Sequence, residues 1–214
     1  AIEQPLMFAG NDLPGVMLSG AARRLVSLYG VLPGTRAVVV TTSDRGVRAA
    51  IALAAAGVQI RVLADLRPEA SRACRRLPAN GIEPLQGWTV LAARGRREVR
   101  GAVLAPVDSL RPGTSPSQRR EFECDLLIVS GGDAPTTTLI AEAGGRTEYD
   151  PARGHFRLAE LPAGSLAAGQ LAGDGGWGVA EVSGEMAGLE AAGGLGFAAG
   201  SSGSRRARLR SRLD

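Results

Sequence analysis

One stretch limits the fold more than any other. Residues 36–42, Arg-Ala-Val-Val-Val-Thr-Thr, form a continuous run dominated by β-branched side chains. That is the pattern of a strand buried on both faces of a parallel sheet. A parallel strand needs a crossover, and the next residues supply one. Ser43 and Asp44 have helix N-cap chemistry, residues 45–56 are rich in Ala and Leu, and Gly57 ends the helix. Residues 59–64 then form a second strand closed by Asp65. Strand, tight turn, helix, strand and acid are the order of a dinucleotide-binding βαβ unit.

In such a unit the backbone N–H groups and the positive end of the helix face a pyrophosphate, while the acid takes the ribose hydroxyls. The turn here reads Thr41-Thr42-Ser43-Asp44-Arg45-Gly46. Thr41 and Ser43 stand where the first two glycines of G-x-G-x-x-G belong, and only Gly46, the helix-packing glycine, remains. Asp65 lies 24 residues after Thr41, close to the expected spacing. A serine side chain narrows the approach of a phosphate, and Asp44 adds negative charge beside it. The motif alone therefore leaves open a working nucleotide site or a purely structural βαβ unit whose Asp65 caps a loop.

The rest of the chain suits the same class. Residues 21–29 read as a short helix stopped by Gly30, and residues 67–80 as another entered through Pro68. Residues 81–85 form a short strand, and residues 88–94 and 98–105 two amphipathic strands around Gly95. A Pro/Ser/Arg loop covers 106–120, followed by a buried strand over 121–130 that runs into Gly131-Gly132. Two glycines at a strand's carboxyl end permit close approach by a cofactor or by another backbone. Residues 136–143 and 179–192 read as helices, and residues 154–159 and 165–168 as strands.

Composition excludes several chemistries. The chain has 25 basic residues, all Arg. Without lysine there is no P-loop ATPase, Schiff-base enzyme or kinase-type Lys–Glu pair. His155 is the single histidine, so a multi-His metal site cannot form within the chain, and no metal is expected. Cys74 and Cys124 have no metal-ligand spacing. Glu181, Glu185 and Glu190 read as a solvated helix face. No residue has the partners of a catalytic acid or base, and none is assigned that role.

Residues 199–214 hold five Arg and one acid, so the body is neutral and the pI near 10.0 belongs to the tail. With no aromatics interleaved, the tail reads as a solvated, disordered end, and nucleic acid is not an expected partner. No membrane span or signal peptide is read from the sequence, and a cytoplasmic setting is the expectation. The start at Ala1 suggests part of a longer chain.

The ordered segments together carry a resemblance. FAGNDLPGVMLSGAARRLVSLYGVLPGTRAVVVTTSD, ALAAAGVQIRVLADLRPE, GIEPLQGWTVLAARGRREVRGAVL and ECDLLIVSGGDAPTTTLIAEAGG resemble the alpha subunit of heterotetrameric sarcosine oxidase and related amino-acid or opine dehydrogenase subunits. In that family the glycine fingerprint is similarly eroded to a Thr/Asn/Asp turn. The resemblance covers residues 3–190 and is most specific over 8–44.

It implies an α/β fold with a Rossmann-like parallel sheet, an NAD-type domain at residues 33–115 inserted in an incomplete FAD/NAD(P)-binding domain. Residues 1–32 and 116–192 would be the returning parts of that first domain, and 193–214 a Gly/Ser/Arg-rich tail. The implied cofactors are NAD and/or FAD. The implied cofactor-binding residues are Thr41, Thr42, Ser43, Asp44, Gly46, Asp65, Gly131, Gly132 and Gly169. At Ala168-Gly169-Gln170 the wider class carries Gly-Asp, whereas this chain and the sarcosine oxidase type lack the Asp. The implied setting is a multi-subunit flavin-dependent oxidoreductase with further oxidoreductase subunits and a small amine substrate, such as sarcosine, on a partner subunit. The alternative is a non-catalytic assembly module with a degenerate nucleotide site.

Overall fold

The computed structural model describes residues 1–110, 118–151, 154–173, 176–197 and 202–211. The chain divides into two compact units, Glu3–Gly132 and a second made of Ala1–Ile2 with Asp133–Asp214. In chain order up to residue 132 the regular elements are β1 (Ile2–Glu3), β2 (Val16–Leu18), α1 (Ser19–Tyr29), β3 (Arg36–Thr41), α2 (Asp44–Ala55), β4 (Gln59–Asp65), β5 (Pro84–Gln86), β6 (Trp88–Gly95), β7 (Val99–Pro106), β8 (Arg120–Glu123) and β9 (Leu126–Ser130).

Five strands form a parallel sheet in the order β2-β9-β3-β4-β5. The valine run of β3 lies at its centre, with Val38, Val39 and Val40 fully buried. Alternate side chains serve opposite faces. Ala37 and Val39 pack with Ile60, Leu63, Leu126 and Ile128 against Ala22 of α1 and Val47, Ala50 and Leu53 of α2. Val38 and Val40 pack with Val62, Ala64, Leu127 and Val129 against Val90, Ala102 and Leu104 of a second, antiparallel sheet, β6-β7-β8. Helices cover one face and a small sheet the other, which is why the central strands carry the apolar runs Ala37–Val40, Val62–Ala64 and Leu126–Val129.

Helix ends follow their local chemistry. Ser43 caps α2, its Oγ accepting from the Arg45 N–H at 3.4 Å. Gly30 ends α1 in the left-handed region (φ 63°). The Gly30 N–H donates to Val26 O at 3.2 Å and the Val31 N–H to Leu25 O at 2.9 Å, so the left-handed glycine closes the last turn.

Residues 67–80 do not form the expected helix. The Arg67 N–H turns back onto Asp65 Oδ1 at 3.0 Å, and only two 3-10 turns follow, Cys74–Arg76 and Pro78–Asn80. The apolar anchors here, Cys74 and Leu77, span a single turn, and Pro78 cannot extend it. The strand expected over 121–130 is two strands. Between them Asp125 accepts the N–H groups of Thr35 and Arg36 at 2.9 and 2.8 Å, and the chain passes from one sheet to the other. Residues 16–18 form the edge strand β2. The loop expected over 106–120 lies partly outside the described residues.

In the second unit the elements are β10 (Asp133–Ala134), α3 (Thr138–Glu142), β11 (Arg146–Asp150), β12 (His155–Glu160), α4 (Trp177–Gly194) and α5 (Ser202–Arg210). β11 and β12 pair antiparallel, and the rings of Tyr149 and Phe156 meet edge to face at 5.5 Å. Residues 165–168 are not a strand; they lead into a 3-10 turn at Gly169–Leu171. The tail is not wholly irregular either. Residues 202–210 are helical, with Leu209 buried and Arg205 paired to Glu185 of α4. Burial of Leu209 and that ion pair give the segment a reason to order. No helix among the described residues is long and apolar enough to cross a membrane.

Both cysteines are free and buried, Cys74 at 0% and Cys124 at 1% exposure. Burial, with Asp125 nearby, pushes the Cys124 thiol up to about 11, and burial raises Cys74 as well. The thiolate is the reactive form. At pH 8 neither cysteine is therefore expected to react with a thiol reagent in the folded protein, and both in denaturant. Stoichiometric labelling of the native chain would contradict this packing.

Candidate functional site

Of the cofactor-binding residues singled out in the sequence, all but Gly169 lie at the carboxyl edge of the parallel sheet or in the turns that leave it. The sheet order reverses at β3, because β4 lies on one side of it and β9 on the other. This is the topological switch point, where open α/β sheets hold ligands. In register across the edge stand Ser130, Thr41, Asp65 and Gln86, at the ends of β9, β3, β4 and β5.

The β3–α2 turn is held from within. Thr41 is fully buried; its Oγ1 donates to Ser43 O at 2.7 Å and accepts the Ser43 N–H at 3.1 Å. The Thr42 N–H donates to Ser130 O at 2.9 Å. Ser43 is extended (φ −152°), a conformation that needs no glycine. Gly46 is required by packing: a Cβ there would lie 2.4 Å from Thr41 Oγ1 and 2.5 Å from Thr41 Cβ.

Asp65 is fully buried and its carboxylate is engaged on both oxygens. Arg67 Nε donates to Oδ1 and Oδ2 at 3.0 and 3.1 Å, and Arg67 Nη2 to Oδ2 at 2.7 Å. The Cys74 thiol lies 3.2 Å from Oδ2. The same Nη2 reaches Asp44 Oδ1 at 2.9 Å. One guanidinium thus spans Asp65 and Asp44, the first residue of α2. The Asp65 hydrogen bonds raise the Arg67 pKa above its already high ordinary value, against partial burial. Partial burial works to raise Asp44, but hydrogen bonds from Ser71 and Arg67 and the charges of Arg67 and Arg48 outweigh it and hold Asp44 below the usual range.

Gln86 stands beside Asp65. Its amide N and O are buried without a hydrogen bond of ordinary geometry, its polar neighbour being the Cys74 thiol. Poorly served buried polar atoms cost stability unless a ligand completes them. With Asp65 at the strand end and the capped N-terminus of α2 in the same edge, the residues fit the adenosine end of a dinucleotide. Asp65 would take the ribose, and Gln86 offers a donor and an acceptor next to it.

The two glycines after β9 have a different neighbour. A Cβ on Gly131 would sit 2.7 and 2.8 Å from the carbonyl oxygens of Gln4 and Pro5. The Gly131 N–H donates to Gln4 O, and the Gln4 N–H to Gly132 O, both at 2.8 Å. Of the two close approaches the sequence allows, the structure contains the chain's own backbone. Gly132 has φ 99° and faces Thr42 Oγ1. Glu3 completes this corner: its carboxylate accepts from Ser19 Oγ and, at 2.8 Å, from the Gly20 N–H at the start of α1.

Gly169 belongs to the second unit, where its N–H donates to Ser183 Oγ at 2.9 Å and its φ is 66°. His155 Nδ1 lies 3.1 Å from Phe156 O. No group of three metal-ligating residues exists among the described residues. Sequence reasoning missed Arg67, Gln86 and Glu3. An arginine two positions after a strand-ending acid was the available signal for the first; nothing local marks the other two.

No family model matches the chain. Over 175 residues it is 32% identical to the sarcosine oxidase alpha subunit of Corynebacterium sp. (strain U-96), a match that spans 81% of this chain and 18% of that one. The chain spans less than a fifth of the length of each curated relative it matches. Among solved structures, L-proline dehydrogenase from P. horikoshii is similar with a TM-score of 0.63 at 20% identity, covering 99% of this chain and 36% of that one. Thioredoxin reductase of T. acidophilum is similar with a TM-score of 0.61 at 16% identity, covering 91% and 63%. At these identities the two structures speak for the fold alone: an α/β architecture with a Rossmann-like parallel sheet.

Proposed function

We propose, for a chain related over 81% of its length to one segment of the sarcosine oxidase alpha-subunit family, that it is a cofactor-domain segment of a multi-subunit flavin-dependent oxidoreductase. The substrate class we propose is a secondary amine or amino acid such as sarcosine. The observation that carries the reading is the carboxyl edge itself: an alpha-subunit-like sequence folded so that the β3–α2 turn, Asp65 and Gln86 share one switch point.

A dinucleotide, NAD or FAD, is the group such an edge takes, and kinship with oxidoreductases supports it. Flavin supplies the two-electron acceptor chemistry for oxidising an amine C–H bond, and we place that step on a partner subunit. This chain's share is to bind and orient. Asp65 receives the ribose, the N-terminus of helix α2 faces the phosphates, and the Gly131 corner is sealed by residues 3–5. Further oxidoreductase subunits are the partners this implies, and Cys74 and His155 take no part.

A second reading, an assembly module whose nucleotide site is shut, is favoured by the guanidinium that already occupies Asp65.

The assembly containing the full-length chain decides between them. Yellow flavin absorbance that sarcosine or another secondary amine bleaches without oxygen, together with loss of dinucleotide from an Asp65→Ala assembly, is the expected result. An intact assembly with neither flavin nor dinucleotide would leave the assembly module as the better account.

A further inference from the structure

We infer that Arg67 is a latch on the nucleotide site: an internal stand-in for the ribose, which a dinucleotide must displace to reach Asp65. The inference rests on the dinucleotide reading of the β3–α2 edge.

The acid at the end of the second strand of a dinucleotide fold is useful because its two oxygens accept from the vicinal ribose hydroxyls. Here both oxygens already accept from Arg67, whose Nη2 is also tied to Asp44 at the start of α2. A carboxylate that is fully buried cannot turn to offer fresh lone pairs elsewhere. Ribose binding and the Arg67–Asp65 pair therefore compete for the same atoms. Arg67, unlike Asp65, is about one-third exposed, at 32% of its side-chain surface. It has a route outward, and its second anchor, Asp44, is also partly exposed at 35%. The residue able to move is the cation, and the residue kept in place is the acid. The backbone fixes the pairing: the Arg67 N–H holds Asp65 Oδ1 at 3.0 Å in a turn that starts the guanidinium on its way back over the carboxylate.

A latched site lowers apparent affinity by the fraction of molecules in which the latch is open. Removing the latch is therefore expected to tighten binding, by about tenfold or more if the open state holds a tenth of the population or less. A contact residue would behave oppositely: if Arg67 touched the bound adenosine or phosphates, its loss would weaken binding.

The test is isothermal calorimetry with NAD+ and with FAD on the full chain, as wild type, Arg67→Ala and Arg67→Gln. The glutamine variant keeps one donor toward Asp65 and guards against failure of the alanine variant to fold. Thermal unfolding with and without each dinucleotide gives a readout independent of turnover. We expect the variant's dissociation constant to fall about tenfold and its melting temperature to rise more with ligand than the wild type's does. Equal or weaker binding by a folded variant overturns the latch and leaves the dinucleotide reading intact. Absence of binding by wild type and by both variants overturns the latch and that reading together.

Discussion

Arg67→Ala is expected to destabilise the chain by about 3 kcal/mol, and by an amount that depends on pH. Removing one partner of a buried ion pair typically costs about 3–5 kcal/mol, because the other charge is left buried and unpaired. The low end applies because Arg67 is a third exposed while Asp65 is at 0%. Folding is marginal by about 5–15 kcal/mol, so the loss is large without abolishing the fold.

The pH dependence gives the cause. Arg67 also holds Asp44 Oδ1 at 2.9 Å. The Asp44 pKa is held low despite partial burial, by hydrogen bonds from Ser71 and Arg67, so its contribution is present above the unfolded pKa and fades as pH falls through the folded one. The variant loses the share of that contribution that Arg67 supplies, so its deficit should be fully present near neutral pH and shrink on acidification. Urea unfolding of both proteins between neutral pH and about pH 3 measures the difference. A deficit that stays constant over that range would mean that Arg67 does not hold Asp44 in the folded chain. Because a ribose supplies the hydroxyls that Asp65 would then lack, saturating dinucleotide should restore part of the deficit.

How far this site was legible in the sequence differs from residue to residue. The β3-α2-β4 unit could be read because its signals are local and redundant: a valine run for a doubly buried strand, Ser43 for the cap, an acid at the second strand's end. Gly30 was legible for the same reason, since only a left-handed residue closes α1 as it is closed. The stretch at 67–80 misled because propensity cannot register a side chain that turns back. Arg67 bends onto Asp65, and the chain spends its helical residues on two short turns around Cys74 and Leu77. Gly131 could be read only as a place of close approach. That the approaching group is the backbone of Gln4 and Pro5 depends on a contact across more than 120 positions, which no window contains. Glu3 at the start of α1 is hidden because its partners, Ser19 and Gly20, lie beyond an intervening loop and strand. The order of residues 202–210 was missed because composition there reports charge, whereas what orders the segment is one buried leucine and one ion pair.

Replacing the one fingerprint glycine that survives should show what the lost glycines were exchanged for. Gly46→Ala places a methyl 2.4 Å from Thr41 Oγ1 and 2.5 Å from Thr41 Cβ, with Ser130 Cβ at 3.2 Å on the far side. Thr41 is fully buried in the central strand and cannot retreat. Overpacking of this kind costs about 1–3 kcal/mol, less up to about 1 kcal/mol of helix propensity gained by alanine. Thr41→Gly on its own loses a buried side chain and the two hydrogen bonds that close the turn on Ser43. The two changes together should cost less than their sum, with a coupling of about 1 kcal/mol or more, since neighbours in direct contact are not additive. Denaturant midpoints of the four proteins of that cycle decide it, and strict additivity would mean that α2 is not seated on β3 through this pair. Coupling of the expected sign would explain why the turn tolerates threonine where a dinucleotide fold usually keeps glycine. The hydroxyl of Thr41 does for the turn what φ freedom does elsewhere, and the space its Cβ takes is given back by the absence of one at Gly46.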